Sequence, residues 1–221
     1  MLKPVVLFAK LKEPKMHIPK LFEITDNKII DQFIKENSFA TIVTKGSDFP
    51  VGTHIPIELE VNEYGEKVLW GHVSKANPQW KDFEQSPNVL VIFQSNIHHY
   101  ISSSWYSQPN APTWNYISVH VSGKLKIIEG ENLWESVRRL TNKYEQKSAN
   151  PVSLDTLPDS VQKQMNGIVG FEISIQKTEA AFKLSQNRND ADFENILKEL
   201  RLSNELSASL MADVMERERK F

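Results

Sequence analysis

The chain has 221 residues, 40% of them hydrophobic and 24% charged, with 26 Lys and Arg against 28 Asp and Glu for a formal net charge of −2. That is an ordinary globular composition with ample length for a buried core, and it lacks the basic excess of a protein that holds nucleic acid by charge. No cysteine is present, which excludes disulfides, thiolate metal sites and cysteine nucleophiles.

The chain opens on MLKPVVLFAKLKEPK, a short apolar run with scattered lysines. A signal peptide needs a longer apolar core and a small-residue cleavage site, and no segment approaches the roughly 18–20 apolar residues of a membrane span. Residues 1–15 are expected to be an extension, with a natural start at Met16, and residues 16–221 to form one cytoplasmic domain.

Thr25 and Asp26 offer N-caps to a helix with Ile29, Ile30, Phe33 and Ile34 at helical spacing. Phe39 to Thr44 reads as a strand. Val51, Thr53, Ile55, Ile57 and Leu59 then alternate with His54, Pro56 and Glu58, and Asn62-Glu-Tyr-Gly turns this strand into Lys67–Val73 as a hairpin. Asn77 caps a short helix with Pro78 at its first position. Asn88 to Gln94 is a strand, wholly apolar from Val89 to Phe93 and therefore central. Residues 95–113 read as one long irregular segment, of the kind that is usually functional or mobile.

Beyond it, Ile117, Val119, Val121, Leu125 and Ile127 point to one side of a strand, with Tyr116, Ser118, His120, Ser122, Lys124 and Lys126 on the other. A helix over residues 130–147 places Leu133, Trp134, Val137 and Leu140 on one face. A short helix near Val161–Met165 leads into a strand from Gly167, and Ala180 to Leu184 reads as a last edge strand. Phe193, Ile196, Leu197 and Leu200 stripe a further helix, and the tail from Ser203 is an amphipathic helix. About six or seven antiparallel strands with turn-sized connections and flanking helices imply an α+β fold built on a barrel or strongly curled sheet.

Several chemistries find no support. His54, His72, His98, His99 and His120 lack the spacings that set two imidazoles around one metal ion. Ser102-Ser-Ser-Trp lacks the Gly-x-Ser-x-Gly elbow, and no phosphate-cradling glycine loop occurs. The segment GHVSKANPQW, residues 71–80, fares better. Ser74 supplies a hydroxyl, Lys75 a point charge and Asn77 a helix start, the donor set that a partly buried phosphate requires. A polar turn that caps a helix accounts for the same residues.

The blocks MHIPKLF, NSFATIVT, THIPI, GHVSKANPQW, YISSSWY, PTWNY, VHVSGK, GIVGFEI and KLSQNRN, in that order, resemble the PaiB family, described as FMN-binding negative transcriptional regulators. The resemblance implies an FMN-binding split β-barrel, antiparallel and of Greek-key type, that forms a homodimer with flavin at the subunit interface. It implies that Ser74 and Lys75 hold the FMN phosphate with Asn77 assisting, and that Thr41 and Thr53 lie on strands passing the isoalloxazine. Trp114, Tyr116 and His120 would form the other wall. A flavin-dependent oxidoreductase acting on a small molecule, with only indirect effects on transcription, is the alternative that the fold also accommodates. No helix-turn-helix pattern occurs, and Arg138, Arg139 and Lys143 form the one notable basic group. A solvated helix face accounts for it better than DNA contact.

Overall fold

The computed structural model describes residues 15–219. The extension expected over residues 1–15 lies outside them except for Lys15. Eight strands are present among the described residues: β1 (Glu23–Ile24), β2 (Phe39–Thr44), β3 (Val51–Val61), β4 (Lys67–Ser74), β5 (Asn88–Gln94), β6 (His99–Ile101), β7 (Thr113–Ile128) and β8 (Ile168–Lys183). Five α-helices accompany them: α1 (Asn27–Glu36), α2 (Gly130–Glu145), α3 (Asp159–Gln162), α4 (Asp190–Leu202) and α5 (Leu206–Arg219).

β2, β3 and β4 run as a meander, and β5 returns to pair with β2, which makes a Greek key. The order β8-β4-β3-β2-β5-β7 then closes, because β7 also pairs with β8. The product is a six-stranded antiparallel barrel, with β1 added beside β8 and β6 beside β7. Alternation decides what fills it. Ile42, Ile57, Leu69, Val91, Phe93, Val119, Phe171 and Ile173 are fully enclosed, each separated from the next inward residue of its strand by one outward side chain.

The sequence expectation for Ala180 to Leu184 needs correction. That segment ends a single strand of 16 residues, and it is no edge: β8 pairs with β7 along nearly its whole length, with β4 through its first half and with β1 at Ala180 and Ala181. The polar stretch Ser174–Glu179 looks like a break because the strand there faces solvent on one side. Backbone pairing to β7 carries it through, with one register shift between Ser122 and Gly123. The segment at residues 95–113 likewise holds β6 and a short 3-10 helix, Ser103–Trp105.

Helices cover parts of the outer surface. α1 starts at Asp26, whose carboxylate accepts the Lys28 N–H at 2.7 Å, and buries Ile30, Phe33 and Ile34. α2 lies over β3 and β4, where Lys143 and Tyr144 reach Glu58 and Arg139 reaches Glu60. α4 and α5 pack together and close the side by β6 through Phe193, Ile196, Met211 and Met215. Among the described residues, no helix is long and apolar enough to cross a membrane. Among the described residues, no helix packs closely on the outer face of β2, β5 and β7.

Candidate functional site

Ser74 is the last residue of β4, and Lys75 begins the turn that follows. Both are exposed. The turn is built by its backbone: Lys75 N–H donates to Gly167 O at 2.8 Å, and Asn77 N–H to Ser74 O at 2.9 Å. Pro78–Asp82 form a 3-10 helix capped by Asn77, whose side-chain oxygen accepts from Gln79 N–H at 3.0 Å. One of the free helix N–H groups is therefore already occupied, and a five-residue 3-10 helix contributes little dipole. The remaining donors are the Lys75 ammonium, which forms no ion pair among the described residues, and the Ser74 hydroxyl. The latter already accepts weakly from Ala76 N–H at 3.2 Å and still has its proton to give.

Thr53 ties this turn to the barrel. Its hydroxyl donates to Gln79 Oε1 at 2.6 Å and accepts from Asn77 Nδ2 at 2.9 Å. Gln79 is 3% exposed and also donates to Thr44 Oγ1 and Val51 O. Thr53 pairs with the enclosed Ile42 and so shares its inward side. Thr53 thus supports the turn from within, whereas Thr41 faces outward. The sequence reading missed Gln79, because nothing in an Asn-Pro-Gln string says that its amide will be buried.

The outward faces carry the second part of the site. Cross-strand pairing sets His54 beside Thr41, Thr41 beside Ile92, Ile92 beside His120 and His120 beside Glu179. This row crosses five strands, roughly 19 Å at the usual strand spacing. Thr41 Oγ1 lies 2.8 Å from His54 Nδ1. Burial lowers the His120 imidazole below its ordinary value, and the Glu179 carboxylate partly opposes that shift. Tyr116 and Trp114 continue the same outward face of β7. Trp114 is 52% exposed and meets Tyr100 edge-on at 5.8 Å. His54 and Glu179 were absent from the sequence-predicted set. Only the register, which places them against Thr41 and His120, reveals them.

The structure therefore brings the eight predicted residues into two groups. Ser74, Lys75, Asn77 and Thr53 form the turn, and Thr41, Trp114, Tyr116 and His120 line the uncovered face. The groups meet at β3, where Thr53 and His54 are neighbours in the chain with opposite orientation. His72, two residues before Ser74 on the outward side of β4, has a buried Nδ1 without a hydrogen-bond partner, and burial lowers its imidazole as well.

Residues 16–177 match the family FMN_bind_2, described as "Putative FMN-binding domain". A Bacillus subtilis protein named protease synthase and sporulation protein PAI 2 is 43% identical over 91% of this chain and 97% of its own length. The chain belongs to the PaiB family. FMN is accordingly its cofactor, and an exposed cation and hydroxyl beside an uncovered polar strand face suit a phosphorylated flavin. Among solved structures, this PaiB-family chain superposes on the flavocytochrome Anf3 from Azotobacter vinelandii with a TM-score of 0.59, at 16% identity, covering 80% of this chain and 78% of that one. The FAD and heme binding protein from Mycobacterium smegmatis gives 0.57 at 14% identity, with 73% of each chain covered. These two likenesses concern the fold.

Proposed function

We propose that the protein is an FMN-binding negative regulator that works as a homodimer, with the flavin phosphate on Ser74 and Lys75. The observation that carries this reading is the junction at β3, where the donor-bearing turn adjoins the outward row through Thr53 and His54. A ligand with an anionic end and a flat polar body finds both requirements side by side. Lys75 neutralises the phosphate, Ser74 donates to it, and Asn77 keeps the turn in place through Thr53. Thr41 and His54 present polar groups to the ring edge. His120, whose imidazole burial pushes below its ordinary value, offers in its neutral form one N–H donor and one acceptor nitrogen. Bound there, FMN supplies a centre for one- or two-electron transfer.

The homodimer rests on what the single chain leaves bare. Phe39 is 67% and Trp114 52% exposed, beside the half-buried Leu90, Ile92 and Tyr116. A second copy would cover that face and enclose the ligand, with Trp114, Tyr116 and His120 of one copy facing the turn of the other. Regulation in this reading does not use direct DNA reading. Arg138 and Arg139 are paired with Glu135, Arg139 also with Glu60, and Lys143 with Glu58.

FMN and riboflavin titrations test the phosphate assignment. Lys75→Ala is expected to weaken FMN by about 1.5–3 kcal/mol, the value of a charge-assisted hydrogen bond, and riboflavin far less. Equal losses for both ligands would remove it. The oxidoreductase reading is favoured by one observation, the half-buried His120 imidazole beside Glu179 across the β7–β8 seam, whose carboxylate also pairs with Lys177 at 3.0 Å. It requires His120→Gln to change the pH profile of dye-acceptor reduction by the flavin-loaded protein.

A further inference from the structure

A cationic cavity lies at the end of β8 opposite the Ser74–Lys75 turn. Ser74 pairs with Ile168, the first residue of that strand, whereas Lys183 is its last. There, a cavity of about 250 Å³ opens between residues 110–113 and the turn at residues 185–188. Its lining includes Lys183 and Arg188 and no carboxylate. Lys183 Nζ donates to the neutral Thr113 Oγ1. The Arg188 guanidinium lies 4.3 Å from the Tyr106 ring centroid and donates to its hydroxyl at 3.3 Å, while Nε is buried with no hydrogen-bond partner. The nearby Asp192 carboxylate is engaged by Ser107 N–H at 2.7 Å and by the Asn189 amide at 3.3 Å; it feels the Arg188 charge but makes no direct ion-pair contact with it among the described residues. Lys183 feels the crowding: desolvation first, and then the charge of Arg188, lower its ammonium below the ordinary lysine value.

The turn that presents Arg188 is held against local preference. Ser185 adopts φ 62°, a left-handed conformation that costs a non-glycine residue about 1–3 kcal/mol. Reciprocal hydrogen bonds of 3.0 and 3.1 Å to the side chain of Asn115, which is 0% exposed, fix it there. Arg188 N–H closes the turn on Ser185 O at 3.0 Å.

Two cations that repel each other, with no carboxylate in the lining between them, are relieved by one oxyanion seated there. We propose that the Lys183–Arg188 cavity is a second anion site, taking the phosphate or carboxylate group of a small molecule. Its volume falls below the roughly 300–1,000 Å³ of pockets that enclose a whole ligand, so it takes a headgroup with the rest of the molecule outside. Ser74 and Lys75 line no part of it, and as a second site it rests on the proposed seat of the flavin phosphate at those two residues.

The test is calorimetric titration of inorganic phosphate, and separately of acetate, into protein saturated with FMN at constant ionic strength. One saturable site per chain is expected, unchanged in Lys75→Ala and weakened about tenfold or more in Arg188→Gln and in Lys183→Gln, the scale of one charge-assisted hydrogen bond. Arg188→Lys should recover part of the loss. Tighter phosphate identifies a phosphorylated ligand, and tighter acetate a carboxylate. Lys183→Gln, at a half-exposed side chain, carries the test alone if Arg188→Gln does not fold. Absence of saturation by either anion overturns the proposal. So does binding lost in Lys75→Ala but kept in Lys183→Gln. The flavin assignment stands or falls separately, on the FMN and riboflavin titrations of Lys75→Ala.

Discussion

His72 and His120 are outward-facing imidazoles that burial pushes below their ordinary value. A group whose folded value is lowered binds its proton more readily in the unfolded chain, so the folded state loses ground as pH falls below the unfolded value of about 6.5. Above that value both states are neutral and the penalty is absent. Urea-unfolding stability should therefore be level above about pH 7 and decline through the range below about 6.5. His72→Gln should flatten part of that decline, because His72 has no carboxylate to offset its burial, and equal slopes for the two proteins would contradict this. At this scale the sequence displayed chemistry and strand side but not contacts. Ser74, Lys75 and Asn77 stood out as a donor cluster because their residue types say so. Alternation along the strand also put Thr53 on the apolar side with Ile55 and Ile57, where it lies, but the burial of Gln79 and the contact of His54 with Thr41 depend on pairing register, which residue types do not encode.

Among the elements, α2 departs furthest from what its pattern implies. Leu133, Trp134, Val137 and Leu140 do share a face, yet they are only half-buried and Ser136 is the one buried residue of the helix. The helix rests on a charged ledge instead of dipping into the core. Glu58 is 7% exposed there and accepts from Lys143 Nζ at 2.6 Å and Tyr144 hydroxyl at 3.1 Å. Removing Lys143 strands that carboxylate, and about 1–3 kcal/mol of stability should go with it, discounted from the value of a fully buried pair because Lys143 is partly exposed. Arg138→Met, which breaks a surface pair with Glu135, should cost about 0–1 kcal/mol. Denaturant midpoints of the two variants compare them directly. β8 was legible at both ends, where Val169–Ile173 and Ala180–Leu184 are rich in apolar residues, and illegible between them. The shift between Ser122 and Gly123 that carries it through is tight: a Cβ on Gly123 would meet Ile173 Cγ2 and Ser174 O, each at 2.5 Å. Gly123→Ala should lower stability by about 1–3 kcal/mol, read as a lower urea midpoint with an unchanged slope.

For the whole molecule, the uncovered face and the paired basic residues make separate predictions. Sedimentation at low micromolar concentration should give one species near twice the chain mass of 25.4 kDa, and a well-folded monomer there would remove the shared site. Duplex DNA should bind weakly and without sequence preference at physiological salt, with constants near about 10⁻⁴ to 10⁻⁶ M. Tight, sequence-selective binding abolished by changing Arg138 and Arg139 to alanine would make direct repression the correct account. Strand pattern alone left a barrel or a strongly curled sheet open, and the family resemblance pointed to the split barrel that is present. Strand periodicity identifies the staves, but the pairing of β7 with β8 is a long-range choice that no local pattern announces.

That pairing also sets the order in which the chain can fold during synthesis. β2, β3 and β4 are joined by short turns and can zip together early, but the seam needs β8, and β1 at Glu23–Ile24 waits for Ala180 and Ala181. Until those late residues leave the ribosome, β4 and β7 present open edges, and the N-terminal strand has nothing to pair with. Such distant pairings place refolding in the millisecond-to-second regime of β-rich chains, and a nascent chain stalled before residue 168 should be bound by chaperones and cut by proteases far more readily than the finished barrel.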